Sequence, residues 1–411
     1  MQKKLIALAV AGLASTAAFA QSNVTIYGLV DYGYSYRFDG KNAGNVGTTP
    51  NSQSQLNGGQ SLGNRLGFKG TEDLGNGLKA VFLLEQGFML DTGMQQTSGS
   101  QFTRQAYMGL SGNFGTAVGG RLYTPHYTFV SGLDPFGAGT VGRYNNVYSV
   151  FPTAGNSGSL GDPVRVDNAL AYISPSFGGF TGTLAYSNNA ALQENSASNA
   201  ANNTVYAGLL KYDNGPLTVG VNYHYIAGGS TVTGAGPTTT ADFTNATVDA
   251  TGNIISGIVV TNPSATIGNP VKNVQNATIG GSYDFKVVKV MALYSWNDLD
   301  YKLAGSGNAT LNNYMLGATA PFGKFVGKAS YIYSDGNTSA GGDAQQFAIG
   351  LDYNLSKRTA LYSAYSYINN DDKRLSAVGD ASNSGGYSAG NGYAAGGAFQ
   401  QGVQVGVRHS F

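Results

Sequence analysis

Cysteine is absent from the 411 residues, tryptophan occurs once, and only 11% of positions are Asp, Glu, Lys or Arg. Without a thiol there is no disulfide framework, no thiolate metal site and no cysteine nucleophile. Charge is scarce against the roughly 25% of an ordinary soluble domain. It is also balanced, 23 basic residues against 22 acidic, so the chain lacks the basic footprint of a nucleic-acid binder. Beyond the first twenty residues no stretch offers 18 charge-free apolar positions, so no helix there can span a membrane. Any crossing must use strands.

Glycine, tyrosine and phenylalanine are plentiful, at 61, 27 and 19 residues, and 42% of the chain is hydrophobic. That apolar content excludes a disordered chain. The N-terminus has a basic pair, Lys3 and Lys4, then an apolar stretch from Leu5 to Ala18 and a small-x-small site, Ala18-Phe19-Ala20. This is the pattern of a secretory signal peptide spanning 1–20, cut between Ala20 and Gln21. The mature chain, 21–411, is read as one domain.

That domain alternates. Val219, Val221, Tyr223 and Tyr225 share one parity, against Thr218, Gly220, Asn222 and His224 on the other. Phe347, Ile349, Leu351 and Tyr353 repeat the pattern, as do Val403, Val405, Val407, His409 and Phe411 at the end. Period two over about ten residues predicts strands. In a secreted sandwich the apolar face points inward and the outer face is rich in Lys and Glu. In an outer-membrane barrel the apolar face meets lipid and the small polar face lines a wet lumen. Low charge, abundant glycine and tyrosines near strand ends favour the barrel.

Sixteen strands are expected, near 23–37, 61–70, 77–90, 102–111, 116–123, 166–174, 179–188, 203–212, 217–226, 275–285, 287–297, 311–320, 324–334, 345–354, 359–368 and 399–411. Short turns alternate strictly with long connections, the longest being 124–165 and 227–274. The fold class is therefore an all-β, sixteen-stranded antiparallel transmembrane barrel with short periplasmic turns and long external loops, both termini lying on the short-turn side.

Seven motifs, in order, carry a family resemblance. They are Val24-Thr25-Ile26-Tyr27-Gly28, Arg65-Leu66-Gly67-Phe68-Lys69-Gly70-Thr71-Glu72-Asp73-Leu74-Gly75, Arg104-Gln105-Ala106-Tyr107-Met108-Gly109-Leu110-Ser111, and Gly120-Arg121-Leu122-Tyr123-Thr124-Pro125. Ser174-Pro175-Ser176-Phe177-Gly178-Gly179-Phe180, Leu355-Ser356-Lys357-Arg358-Thr359 and Gly406-Val407-Arg408-His409-Ser410-Phe411 complete the set. The chain resembles the trimeric, sixteen-stranded general porins of Gram-negative outer membranes, of the betaproteobacterial type. The segment 227–274 matches no motif of that family.

The resemblance implies a passive, water-filled channel for ions and small hydrophilic solutes, with no cofactor. It also implies a homotrimer among lipids and lipopolysaccharide, and a third loop, about 124–165, folded inward as a constriction. The aromatics of that loop, Tyr127, Phe129, Phe136, Tyr144 and Tyr148 among them, are unsuited to open water. Strand parity puts Arg65, Arg121 and Lys79 on the lumen wall, and the family pattern adds Arg104. Arg143 and Arg165 lie in or beside the loop, with Asp134, Asp31 and Glu85 as opposing acids. Arg121 is expected to be the largest single contributor to a weak to moderate anion preference. In this family a terminal aromatic, here Phe411, resembles the signal read by the barrel-assembly machinery.

Two alternatives have weaker support. A substrate-selective channel would need an ordered track of basic or aromatic residues, which parity does not show. An outer-membrane hydrolase would need a His base near a nucleophile or paired carboxylates. Of the three histidines, His126, His224 and His409, none shares a local motif with a nucleophile, and no metal spacing occurs.

Overall fold

Along the first strand Asp31, Ser35 and Arg37 are buried while Tyr32 and Tyr34 are exposed. The alternation read in the sequence is thus the alternation of a sheet with two different faces. The computed structural model describes residues 23–39, 52–97, 99–148, 164–190, 204–227, 231–233, 247–248, 254–256, 268–301, 308–337, 342–371, 374, 376–379, 381 and 399–411.

The chain begins with β1 (Asn23–Asp39), β2 (Ser52–Gly58), β3 (Arg65–Gly75), β4 (Leu78–Gly87), β5 (Gln105–Gly112) and β6 (Gly115–Tyr123). A helix, α1 (Pro125–Leu133), and a 3-10 turn at Tyr144–Asn146 follow. Then come β7 (Arg165–Ile173), β8 (Phe180–Ser187), β9 (Thr204–Asn214), β10 (Leu217–Ala227), β11 (Thr231–Thr233), β12 (Thr247–Val248) and β13 (Ile254–Ser256). The rest is β14 (Gly268–Asp284), β15 (Lys289–Tyr301), β16 (Ala309–Phe322), β17 (Phe325–Gly336), β18 (Ala344–Asn354), β19 (Thr359–Asn370) and β20 (Phe399–Ser410).

Every neighbouring pair is antiparallel, and β20 pairs back onto β1 from Leu29↔Ser410 to Asp39↔Gln400, so the sheet closes into a sixteen-stave barrel. Closure leaves no sheet edge in the bilayer. Short turns join staves at one end, as at Gly75, Asn76 and Gly77, where all three φ angles are positive and side-chain bulk is minimal.

The burial pattern inverts that of a soluble protein. Met108 is 70% exposed and Leu184 65%, with Leu316, Ile279 and Val221 also facing out. Inside lie buried Ser35, Asn222, Asn276, Ser295, Asn313, Ser330 and Gln404. Exterior aromatics form two belts. Near the short turns Phe180–Tyr212, Tyr283–Phe285 and Phe322–Phe325 are in ring contact; towards the loops Tyr186–Tyr206 and Tyr294–Tyr314–Tyr333 are. Such girdles mark the two interfaces of a membrane barrel.

The strand count agrees with the sequence expectation; two details do not. The second stave, expected at 61–70 after a loop 38–60, is two pieces: β3 pairs with Asn23–Leu29 of β1, and β2 continues along Tyr32–Phe38. Polar β2, Ser-Gln-Ser-Gln, carries no hydrophobic alternation to betray it. The segment 227–274 is not wholly loop: β14 starts at Gly268, β11 pairs with its first residues, and β12 and β13 form a separate hairpin.

Candidate functional site

The third long connection turns inward immediately. Thr124 caps α1, its Oγ1 accepting from the Tyr127 amide at 3.1 Å, and Pro125 opens the helix. Thr-Pro is a readable helix start. Asp134 ends it and organises the chain beyond: Oδ1 accepts from the Phe136 amide at 3.0 Å, and Oδ2 from the amides of Ala138 at 2.9 Å and Tyr144 at 3.1 Å. Burial pushes the Asp134 carboxyl up to about 6, against the pull of those three amides.

The loop then lies along the inner wall on a row of bare backbones. A Cβ at Gly220 of β10 would meet Phe129; at Gly280 of β14, Leu133; at Gly317 of β16, Pro135. At Gly350 of β18 it would meet Phe136, and at Gly402 of β20, Val141. From β14 to β20 these glycines fall on every second stave. Met291, Met315, Ile332 and Ile368 complete an apolar cluster with the loop. The described part of the loop therefore packs into the lumen, as the resemblance implied for 124–165; 149–163 fall outside the described residues.

A second inward segment faces it. Between β2 and β3, residues 59–64 leave the ladder and are held by Asp31, whose Oδ2 accepts from the amides of Ser61 (2.8 Å) and Leu62 (2.7 Å). Tyr362 donates to the other oxygen at 2.6 Å. The Gln60 carbonyl accepts from Thr140 of the third loop at 2.9 Å.

Three arginines, one carboxylate and a tyrosine cluster on β3, β4 and the adjoining ends of β5 to β7, two of the arginines against the carboxylate and the third on the tyrosine. Arg104 Nε donates to Glu85 Oε1 at 2.7 Å, Arg65 Nη1 lies 4.0 Å from Oε2, and Tyr27 donates to Oε2 at 2.9 Å. The Tyr123 hydroxyl accepts from Arg104 at 2.7 Å and from Arg165 at 2.8 Å, with the Arg165 guanidinium 4.5 Å above the same ring. Tyr127 of α1 stacks on Tyr123 at 5.2 Å, which ties the arginines to the start of the loop. Three cations against one anion leave the cluster positive.

Other candidates fall elsewhere. Arg121 is at a register shift, pairs with Ala106 on the parity of exposed Met108, and binds the Asp167 carboxylate and the Thr103 carbonyl. Parity was expected to put it on the lumen wall; regular pairing with β5 instead keeps it on the parity of Gly119, opposite exposed Met108, and the extra residue of the neighbouring shift lies on β7. Lys79 is exposed beside the short turn, opposite Asp73. Arg143 bonds Asn146 within the loop at 3.0 Å. Asp134 and Asp31 are buried and engaged with backbone amides, so neither presents a carboxylate to the lumen. Ala20 and Gln21 fall outside the described residues.

Sequence reasoning missed several lumen cations among the described residues. Lys328 and Arg408 share Asp352, at 2.9 and 2.6 Å. Arg37 is buried on the inner parity of β1. Parity alone would have found them. His126 and His224 stack edge to face at 5.0 Å, and His126 Nε2 lies 2.9 Å from the Tyr148 hydroxyl. Among the described residues no three His, Cys, Asp or Glu side chains come together as a metal site.

Comparison with known proteins agrees with this architecture. The Gram-negative porin family matches residues 7–373. Outer membrane porin protein 32 of Delftia acidovorans is 33% identical over the full length of both chains. Among solved structures, an anion-selective porin from Comamonas acidovorans superposes with a TM-score of 0.71 at 29% identity, covering 95% of this chain and 100% of that one. The trimer form of OmpT from Vibrio cholerae, at 15% identity and a TM-score of 0.55, covers 95% of this chain and 99% of its own and shares the fold.

Proposed function

The chain belongs to the Gram-negative porin family and is an outer-membrane channel rather than an enzyme, and we propose that its diffusion pore favours anions. The observation that carries this is the cluster in which Arg65 and Arg104 face the single carboxylate of Glu85 while Arg165 joins through Tyr123. Charges set at the narrowest section of a pore act on ions at close range, where salt screens little. A porin of the same fold at 29% identity is itself anion-selective, which supports the same sign here. The cluster, rather than Arg121, is the source of the preference in this reading, because Asp167 offsets Arg121.

Two further readings accompany it. The pore works as a homotrimer, and the mature protein begins at Gln21 after removal of 1–20. Planar-bilayer recording tests the set. A zero-current potential of anion sign in a KCl gradient is expected, with correlated steps of three levels. A pore that prefers potassium would refute the arginine reading. Sequencing the N-terminus of the outer-membrane protein checks the cleavage site.

A further inference from the structure

The last long connection, 369–398, was expected outside the barrel, yet its described residues enter the lumen. Arg374 has no exposed surface. Its Nη2 donates to the carbonyl of Val147 in the constricting loop at 2.8 Å and to Ser334 Oγ on β17 at 3.1 Å. Its Nε donates to Ser376 Oγ at 3.2 Å. Ser376 is fixed in turn by Asn370 at the end of β19, through bonds of 3.0 and 2.9 Å. Further along, the Gly379 amide donates to Asn146 Oδ1 of the constricting loop at 2.9 Å, and the Ala381 amide to the Gln60 carbonyl at 3.1 Å. Val378 is fully buried, where a Cβ on Gly402 would meet both it and Val141.

We infer that residues 374, 376–379 and 381 clasp the constricting loop, and that Arg374 is the positioning residue that sets the width and selectivity of the pore from behind it. A buried guanidinium is costly unless its donors are satisfied. A leucine or methionine would fill the same volume without that cost. What arginine adds is a planar fork that reaches acceptors on three separate segments at once. Those segments are the constricting loop, the β17 wall and the last loop, so one side chain fixes their relative positions. Arg374 touches no part of the open lumen, and its charge is not presented to a passing ion. Its effect on permeation runs through Val147 and the loop that carries it.

The test compares Arg374→Ala, Arg374→Gln and Asn146→Ala in planar bilayers, using protein that keeps the heat-modifiable folded band. Asn146 is neutral and receives the clasp from the constricting loop's side. Arg374→Ala and Asn146→Ala are both expected to raise single-channel conductance and to move the zero-current potential toward zero, whichever ion the parent prefers. Arg374→Gln, which restores donors without charge, is expected to recover part of the parental conductance. Parental conductance in both alanine variants overturns the clasp. So does a change confined to the two Arg374 variants, since that would assign the effect to charge. If Arg374→Ala does not fold, Asn146→Ala decides alone. A parent pore that prefers cations would sink the anion reading yet leave this conductance comparison intact.

Discussion

The ring of Phe411 lies over the bare Cα of Gly28, while the two backbones bond in both directions, Gly28 N to Phe411 O at 3.0 Å and Phe411 N to Gly28 O at 3.1 Å. The final residue thus completes the last stave against the first. A side chain at Gly28 would overlap that ring.

Deletion of Phe411 is therefore expected to lower the yield of folded protein in the outer membrane, and Gly28→Val to lower it in the same direction. Semi-native electrophoresis of membranes measures the heat-modifiable fraction. Parental yield for both variants at native expression would remove Phe411 from any role in closure.

Arg104→Ser should cut the zero-current potential in a KCl gradient by roughly half, because it removes one of three cations clustered with a single carboxylate. Glu85→Gln should move the potential the other way. Arg121→Ser should have a smaller effect than Arg104→Ser, since Arg121 is matched by Asp167. The anion preference itself should shrink as salt rises. A larger response at Arg121 would return the constriction to the end of β6.

Gly280 and Gly350 form part of the seat of the constricting loop. Valine at either should displace Leu133 or Phe136, at an overpacking cost of about 1–3 kcal/mol. Valine at Gly327, where a Cβ would have its nearest neighbours beyond 3.5 Å, is the control. Single-channel conductance should change in the first two variants and not in the third.

Asp134 yields a pH dependence. Its folded pKa, about 6, is raised above the ordinary carboxylate value. The burial cost is therefore present above about 6 and absent below the unfolded value, so this group makes the loop less stable as pH rises between the two. Because the carboxylate is not presented to the lumen, the expected readout is the loop's position: as pH falls through about 6 the loop is held more stably and single-channel conductance should change in a step. Asp134→Asn should abolish that step, and single-channel conductances recorded across the range check it. An unchanged step in the variant would assign it to another group.

Much of the barrel was legible because lipid and lumen impose opposite chemistry on alternate residues. Val219, Val221 and Tyr223 report the outer face without any partner in view. What failed was local. Arg121 keeps the parity of Gly119 and exposed Ala117, and an arginine at a strand end does not by its residue type reveal which face it shares. β2 escaped notice because Ser and Gln alternate with nothing apolar. The glycines at 220, 280, 317, 350 and 402 read as ordinary strand glycines, since their meaning lies in side chains far away in sequence. Among the site residues, Arg65, Arg104, Arg165 and Glu85 converge. Asp31 and Asp134 instead serve the backbone, which no spacing rule distinguishes from a charge on the pore wall.

The seat of the constricting loop also fixes an order of events. The loop leaves β6, early in the chain, but Val141 rests at Gly402 and takes a 3.0 Å bond from its amide to Gln404 on the last stave. That resting place does not exist until the C-terminal strand is in position. A barrel still open at its seam keeps two unpaired edges, and its narrow section is unfinished as well. Discrimination between ions is thus the last property the molecule acquires, and an intermediate stalled before closure would be a leak rather than a filter.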